Sequence, residues 1–96
     1  LLDSKGRMIR EITVSKGTVN ASLVSPREVF IEAIKAEAVG MVLLHNHPSG
    51  DPSPSEEDKS ITRRIRQGAE LLDLALLDHL IIGDCRYFSF LEAGLL

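Results

Sequence analysis

Ninety-six residues are enough for one domain with a single modest core and too few for two. A hydrophobic share of 44% and a charged share of 26% are ordinary for a soluble globular chain, and a formal net charge of −3 argues against a surface devoted to nucleic acid. No apolar run approaches the roughly 20 residues of a membrane helix, the opening LLDSKGR is too charged for a signal peptide, and Cys85 alone can form no internal disulfide.

The chain does not open on Met, as expected of a piece of a longer protein, and its single thiol fits a reducing cytoplasm. Its first 14 residues are expected to form a hairpin that turns at Ser4-Lys5-Gly6. The second arm is a strand over 7–14, with Met8, Ile12 and Val14 on one face and Ile9, Glu11 and Thr13 on the other. Ser15-Lys16-Gly17 reads as a second turn.

Ser25-Pro26-Arg27-Glu28 offers an N-cap, a proline at the first helical position and a capping-box acid, so a helix is predicted from Ser25. Its apolar stripe is Val29, Phe30, Ala33 and Ile34, and Gly40 follows its end. Residues 41–44 are continuously apolar and predict a strand buried on both faces, which delivers the chain into His45-Asn46-His47-Pro48. The proline- and glycine-rich residues 49–54 must be loop.

A second helix is predicted from the Ser55 N-cap, with Glu56, Glu57 and Asp58 in the first turn and Ile61, Ile65, Ala69 and Leu72 as its buried stripe. Residues 76–82 and 87–90 close the chain as a hairpin around Gly83-Asp84. The sum is a mixed α/β domain, two helices against a small sheet.

Two of the three histidines, His45 and His47, stand just past a buried strand. In an extended segment residues i and i+2 point the same way, so both imidazoles can converge on one point. Asp58 lies one helical turn beyond Ser55, and the rigid loop before it can fold that helix start over the histidines. Two imidazoles and one carboxylate suit zinc with a fourth position open to water, the arrangement of catalytic rather than structural sites. The competing reading of Asp58 is a capping-box acid that serves the Ser55 backbone, in which case metal ligation must weaken or share that bond. Asp51 is a rival third ligand, but between Gly50 and Pro52 it more readily organises a turn.

A hydrolase needs a base as well. Glu28 has a capping role, Glu32 and Glu37 fit a solvated helix surface, and Glu11 stands mid-strand where an acid gains nothing by packing. Elsewhere, Lys59, Arg63, Arg64 and Arg66 read as the solvated side of a helix, with no aromatic residues interleaved to stack bases. Asp78 and His79 face opposite ways on a strand, and His79 reads as a hydrogen-bonded structural residue. Cys85 sits in a turn without evident purpose.

The string His45-Asn46-His47-Pro48, six residues, Ser55, two residues, Asp58 resembles the His-x-His-Pro-x6-Ser-x2-Asp motif of the JAMM (MPN/JAB) metalloproteases. The stretches GTVNASLVSPREVF, LLHNHPSGDPSPSEED and LLDHLIIGDCRYFSF look like the bacterial RadC family within that group, in which Asn46 stands where eukaryotic relatives carry Ser or Thr. The resemblance implies one JAMM/MPN-like domain over residues 1–96, the C-terminal part of a longer chain, with a cytidine-deaminase-like architecture. It implies one zinc ion held by His45, His47 and Asp58, with Glu11 as general base and Ser55 orienting the water or the developing oxyanion. It implies a peptide or protein substrate, cleaved at a peptide or isopeptide bond. The family name also carries an association with DNA repair, so a non-catalytic metal-binding interaction module and a metal-dependent nuclease are the alternatives.

Overall fold

The computed structural model describes residues 1–13 and 25–96. Val14 and the turn expected at Ser15-Lys16-Gly17 lie outside them.

The chain opens on a tight turn. The Asp3 carboxylate accepts the backbone N–H groups of Lys5 and Arg7, each at 2.9 Å, and the Gly6 N–H closes on the Asp3 carbonyl at 3.0 Å. The turn is where the sequence puts it, but the strand expected over 7–14 does not form along residues 7–13. Pairing stops at isolated bridges from Leu2 to Met8 and to Gly40, and Met8 is exposed. Without a continuous partner ladder, alternating apolar residues do not make a strand.

Helix α1 (Pro26–Lys35) begins at the Ser25 N-cap, with proline in its first turn. The capping box expected there is absent, because the Ser25 side chain makes no capping bond. Val29 and Ala33 are buried, whereas Ile34 is exposed, so the apolar stripe is narrower than the sequence suggests. The i, i+4 row of Val29 and Ala33 is buried, and Phe30 beside it packs against the core from a partly buried position. The helix closes at its Ala36 C-cap, shortly before Gly40 as expected: Glu37 just beyond adopts φ 55°, its N–H reaches Ile34 and that of Ala38 reaches Ala33. Those are the two bonds of a Schellman stop, normally given to glycine.

Strand β1 (Gly40–Asn46) runs parallel to β2 (Ala75–Ile82), which pairs antiparallel with β3 (Tyr87–Ser89) in the order β1-β2-β3. The parallel pair requires a crossover, and helix α2 (Glu56–Leu71) supplies it. Residues 41–44 are buried on one face only. Met41 is 2% exposed while Leu44 is 64% exposed, because alternation sends one set toward the helices and the other away. Met41 joins Val29, Ile61, Ile65 and Ala69 in the core, flanked by Phe30, Leu43, Leu74 and Leu76.

Leu72, expected in the stripe of α2, is instead its exposed C-cap. The turn between β2 and β3 spans four residues and closes through the Gly83 N–H on the Arg86 carbonyl at 2.9 Å. Among the described residues no helix is long and apolar enough to cross a membrane.

Candidate metal centre

The C-terminal end of β1 aims the histidines. His45 lies within β1, and the His47 N–H continues the ladder by bonding the Ile82 carbonyl at 3.0 Å. The alternation of the strand therefore persists past its end and puts both imidazoles on one side, with ring centroids 4.9 Å apart at 88°. Asp58 comes from the first turn of α2 and is 1% exposed. One ligand atom from each of His45, His47 and Asp58 lies within 4.8 Å of the others, so the group can hold a metal ion.

The geometry leaves room for both roles read into Asp58, because its oxygens can divide them. Oδ2 accepts the Ser55 N–H at 2.8 Å while Ser55 Oγ accepts the Asp58 N–H at 3.0 Å, a complete capping box. Oδ2 also lies 3.1 Å from His47 Nε2. Oδ1 has no hydrogen-bond partner although it is buried, and the same holds for His45 Nε2, which faces it at 3.8 Å. Leaving such a group unpaired costs about 1–3 kcal/mol, so buried polar atoms nearly always find a partner.

The tautomer of His47 sharpens this point. Its Nδ1 lies 2.9 Å from the Asp51 carbonyl, which can only accept, so Nδ1 carries the proton in that bond and Nε2 is the nitrogen that faces Asp58. Two imidazole nitrogens and a carboxylate thus converge, with Asp58 Oδ1 and His45 Nε2 unpartnered. A cation would partner both, and the residues present fit one.

Burial holds the His45 imidazole below its ordinary pKa, against the pull of Asp58. The lone pair needed for ligation is therefore available at neutral pH. Burial pushes the Asp58 carboxyl up, but the Ser55 backbone and side chain and the two imidazoles outweigh it and hold Asp58 below the usual carboxylate range.

The other candidates fall outside the group. Asp51 Oδ1 accepts the Ser53 N–H at 3.0 Å and its hydroxyl at 2.8 Å, so its side chain organises a turn while its carbonyl orients His47. Ser55 is spent as cap acceptor but keeps its own hydroxyl proton. Glu11 is exposed, beyond the Leu2–Met8 bridge and outside any strand, and is not among the grouped ligands. Arg63, Arg64 and Arg66 are exposed.

Sequence reasoning missed Thr62. Its hydroxyl donates to the Asp58 carbonyl at 2.6 Å and accepts from His79 Nδ1 at 2.6 Å. His79 is the buried structural histidine expected, stacked on Phe90 at 4.7 Å, yet its bond leads straight to the peptide of a ligand. The available signal was the i, i+4 spacing of Asp58 and Thr62 on one helix face. Asp78 accepts from the His79 N–H, the Leu91 N–H and the Ser89 hydroxyl, which fixes the end of the sheet.

Comparison with known proteins then supplies the family. The family model described as RadC-like JAB domain matches residues 1–95. The chain belongs to the RadC-like JAB domain family. It is 53% identical over 96 residues to a UPF0758 protein of Pelobacter propionicus and 54% identical over 96 residues to one of Trichlorobacter lovleyi. A UPF0758 protein of Thermotoga maritima is 50% identical over 93 residues, 97% of this chain. In all three the match spans 42% of the relative's length. The mixed sheet with two helices is consistent with the JAB fold, and the His45–His47–Asp58 group is consistent with a JAB-like metal site.

Proposed function

We propose that this RadC-like JAB domain is a single-zinc hydrolase that cleaves a peptide or isopeptide bond. The observation that supports it most is the buried convergence of His45 Nε2, His47 Nε2 and Asp58, with Oδ1 and His45 Nε2 unpartnered. Two imidazoles and one carboxylate are a common catalytic zinc set, and they leave one position open. When bound, zinc supplies Lewis acidity and makes water nucleophilic near neutral pH.

In this reading Glu11 takes the proton of the attacking water and passes it to the leaving nitrogen. That role for Glu11 rests on the likeness to the JAMM metalloproteases. Ser55 offers its free hydroxyl proton to the developing oxyanion, its oxygen being tied to the Asp58 N–H. The choice of an amide over a phosphodiester rests on the likeness to the JAMM metalloproteases. Among the described residues there is one group of three metal-ligating side chains. A nuclease working through two metal ions about 4 Å apart needs more ligands than these. The single thiol, Cys85, supports a reducing compartment such as the cytoplasm.

Glu11→Gln tests the mechanism, because it keeps the side chain's size and removes its basicity. With a peptide or isopeptide library that the parent cleaves, the variant is expected to bind zinc normally and lose on the order of 10²–10⁴ in turnover. Parent-like turnover of the fully metallated variant contradicts Glu11 as base. A metallated parent that cleaves no amide but does cut DNA contradicts the assigned reaction.

A further inference from the structure

We propose that the turn between β2 and β3 is a clamp on the metal loop, with Gly83 and Arg86 acting as positioning residues for His47. The inference rests on the metal-binding reading and extends it to residues that touch neither metal nor substrate. The Gly50 carbonyl accepts the Asp84 N–H at 2.8 Å and the Arg86 Nη2–H at 3.2 Å. On its other side the Gly50 N–H donates to the His47 carbonyl at 3.0 Å. The next carbonyl, that of Asp51, takes the His47 Nδ1–H. One short run of backbone is thus held by the turn at one peptide and orients the imidazole at the next.

Gly83 permits the contact. A Cβ at that position would stand 2.3 Å from the Gly50 oxygen and 2.9 Å from both Gly50 C and Pro52 Cδ. Those obstacles are backbone and a proline ring, which cannot rotate away as a flexible side-chain end can. Gly50 itself adopts φ +87°, a conformation costly for other residues, so the loop is shaped to sit on the turn. The main apolar cluster, Val29, Met41, Ile61, Ile65 and Ala69, comes from α1, β1 and α2. Of the loop over 49–54 only Pro52 is buried, and none of the turn residues 83–86 is. Disturbing the clamp should therefore act on the metal centre more than on that cluster.

The test is zinc affinity of the metal-stripped domain, measured by competition with a chromophoric chelator, together with the visible absorption spectrum of the cobalt-loaded protein. Gly83→Ala is expected to weaken zinc binding by roughly 10–100-fold, the range for losing a partner behind a metal ligand, and to alter the cobalt spectrum. Arg86→Ala, a surface change that leaves the turn backbone alone, should give a smaller loss that Arg86→Lys partly restores. Ala69→Gly loosens the core at the far end of α2 and should lower stability without changing the cobalt spectrum. Parent-like zinc affinity and spectrum in Gly83→Ala overturn the clamp, as does a loss of affinity that merely tracks stability across all variants. A parent domain that binds no zinc fails the metal-binding reading itself, a result that these variants cannot produce.

Discussion

The Asp58 carboxylate can serve a helix and a metal together: Oδ2 holds the Ser55 N–H, and Oδ1 is left free and buried. Asp58→Asn should keep the cap, since an amide oxygen still accepts that N–H, while removing the charge. Zinc affinity should then fall by more than the roughly 10–100-fold typical of an outer partner, with fold stability near the parent's. Asp51→Ala should leave affinity almost unchanged, because the backbone carbonyl rather than the carboxylate touches His47. The reverse ranking in a chelator competition would show that the loop supplies the third ligand.

His79, with the lowered His45 acting in the same direction, carries the pH dependence of the metal-free fold above the carboxylate range. Burial lowers its pKa from the ordinary 6.5 to about 4, so between those values the unfolded chain binds the proton that the folded chain refuses. Its stabilising contribution is complete above about 6.5 and is lost as pH falls toward about 4. The depressed Asp58 and Asp78 act with the same sign but lower, as pH falls below their ordinary 3.8. Urea midpoints of the metal-free parent should drop through the histidine window, and the slope should flatten in His79→Gln, which keeps a donor for Thr62. A flat parent profile would mean that His79 is not buried neutral.

At the scale of elements, starts were more legible than stops. Ser25-Pro26 and Ser55 announce both helices because capping chemistry is local. The stops carry no such signal, because Glu37 and Asp73 take left-handed conformations that sequence rules reserve for glycine. Gly40, which follows α1 as expected, opens β1 and stands against the Leu77 side chain. Glu37→Gly should therefore stabilise the domain by roughly 0.5–1 kcal/mol by removing the penalty of that conformation. Glu28→Gly, inside α1, should cost about 1 kcal/mol, and thermal melts of the pair check the contrast. Equal losses would show that the Glu37 side chain earns its place by contacts outside the Schellman stop.

For the whole molecule, the fold class and the convergence of His45, His47 and Asp58 were legible because both follow from periodicity and spacing. The His-x-His at a strand end and the acid at a helix start need only alternation and a crossover to meet. Thr62 and the β2–β3 clamp were hidden because they depend on contacts across the sheet, which no local pattern records. Surface charge follows composition: with a net charge of −3 and a short basic stripe on α2, DNA binding by the domain should be weak and steeply salt-dependent. Nanomolar binding at physiological salt, in a filter or anisotropy assay, would contradict that and reopen the alternative of an interaction module. Metal should also stabilise the domain with the logarithm of its excess, by about 2.7 kcal/mol at a hundredfold excess over Kd, and raise its melting temperature accordingly.

The central claim is that His45, His47 and Asp58 hold one divalent ion. Elemental analysis of folded protein, purified without chelator and then re-exposed to zinc, addresses it most directly. The expected result is close to one zinc per chain in the parent, with most of it lost in His47→Ala. Well-folded parent protein that neither retains nor rebinds a divalent metal would contradict the claim.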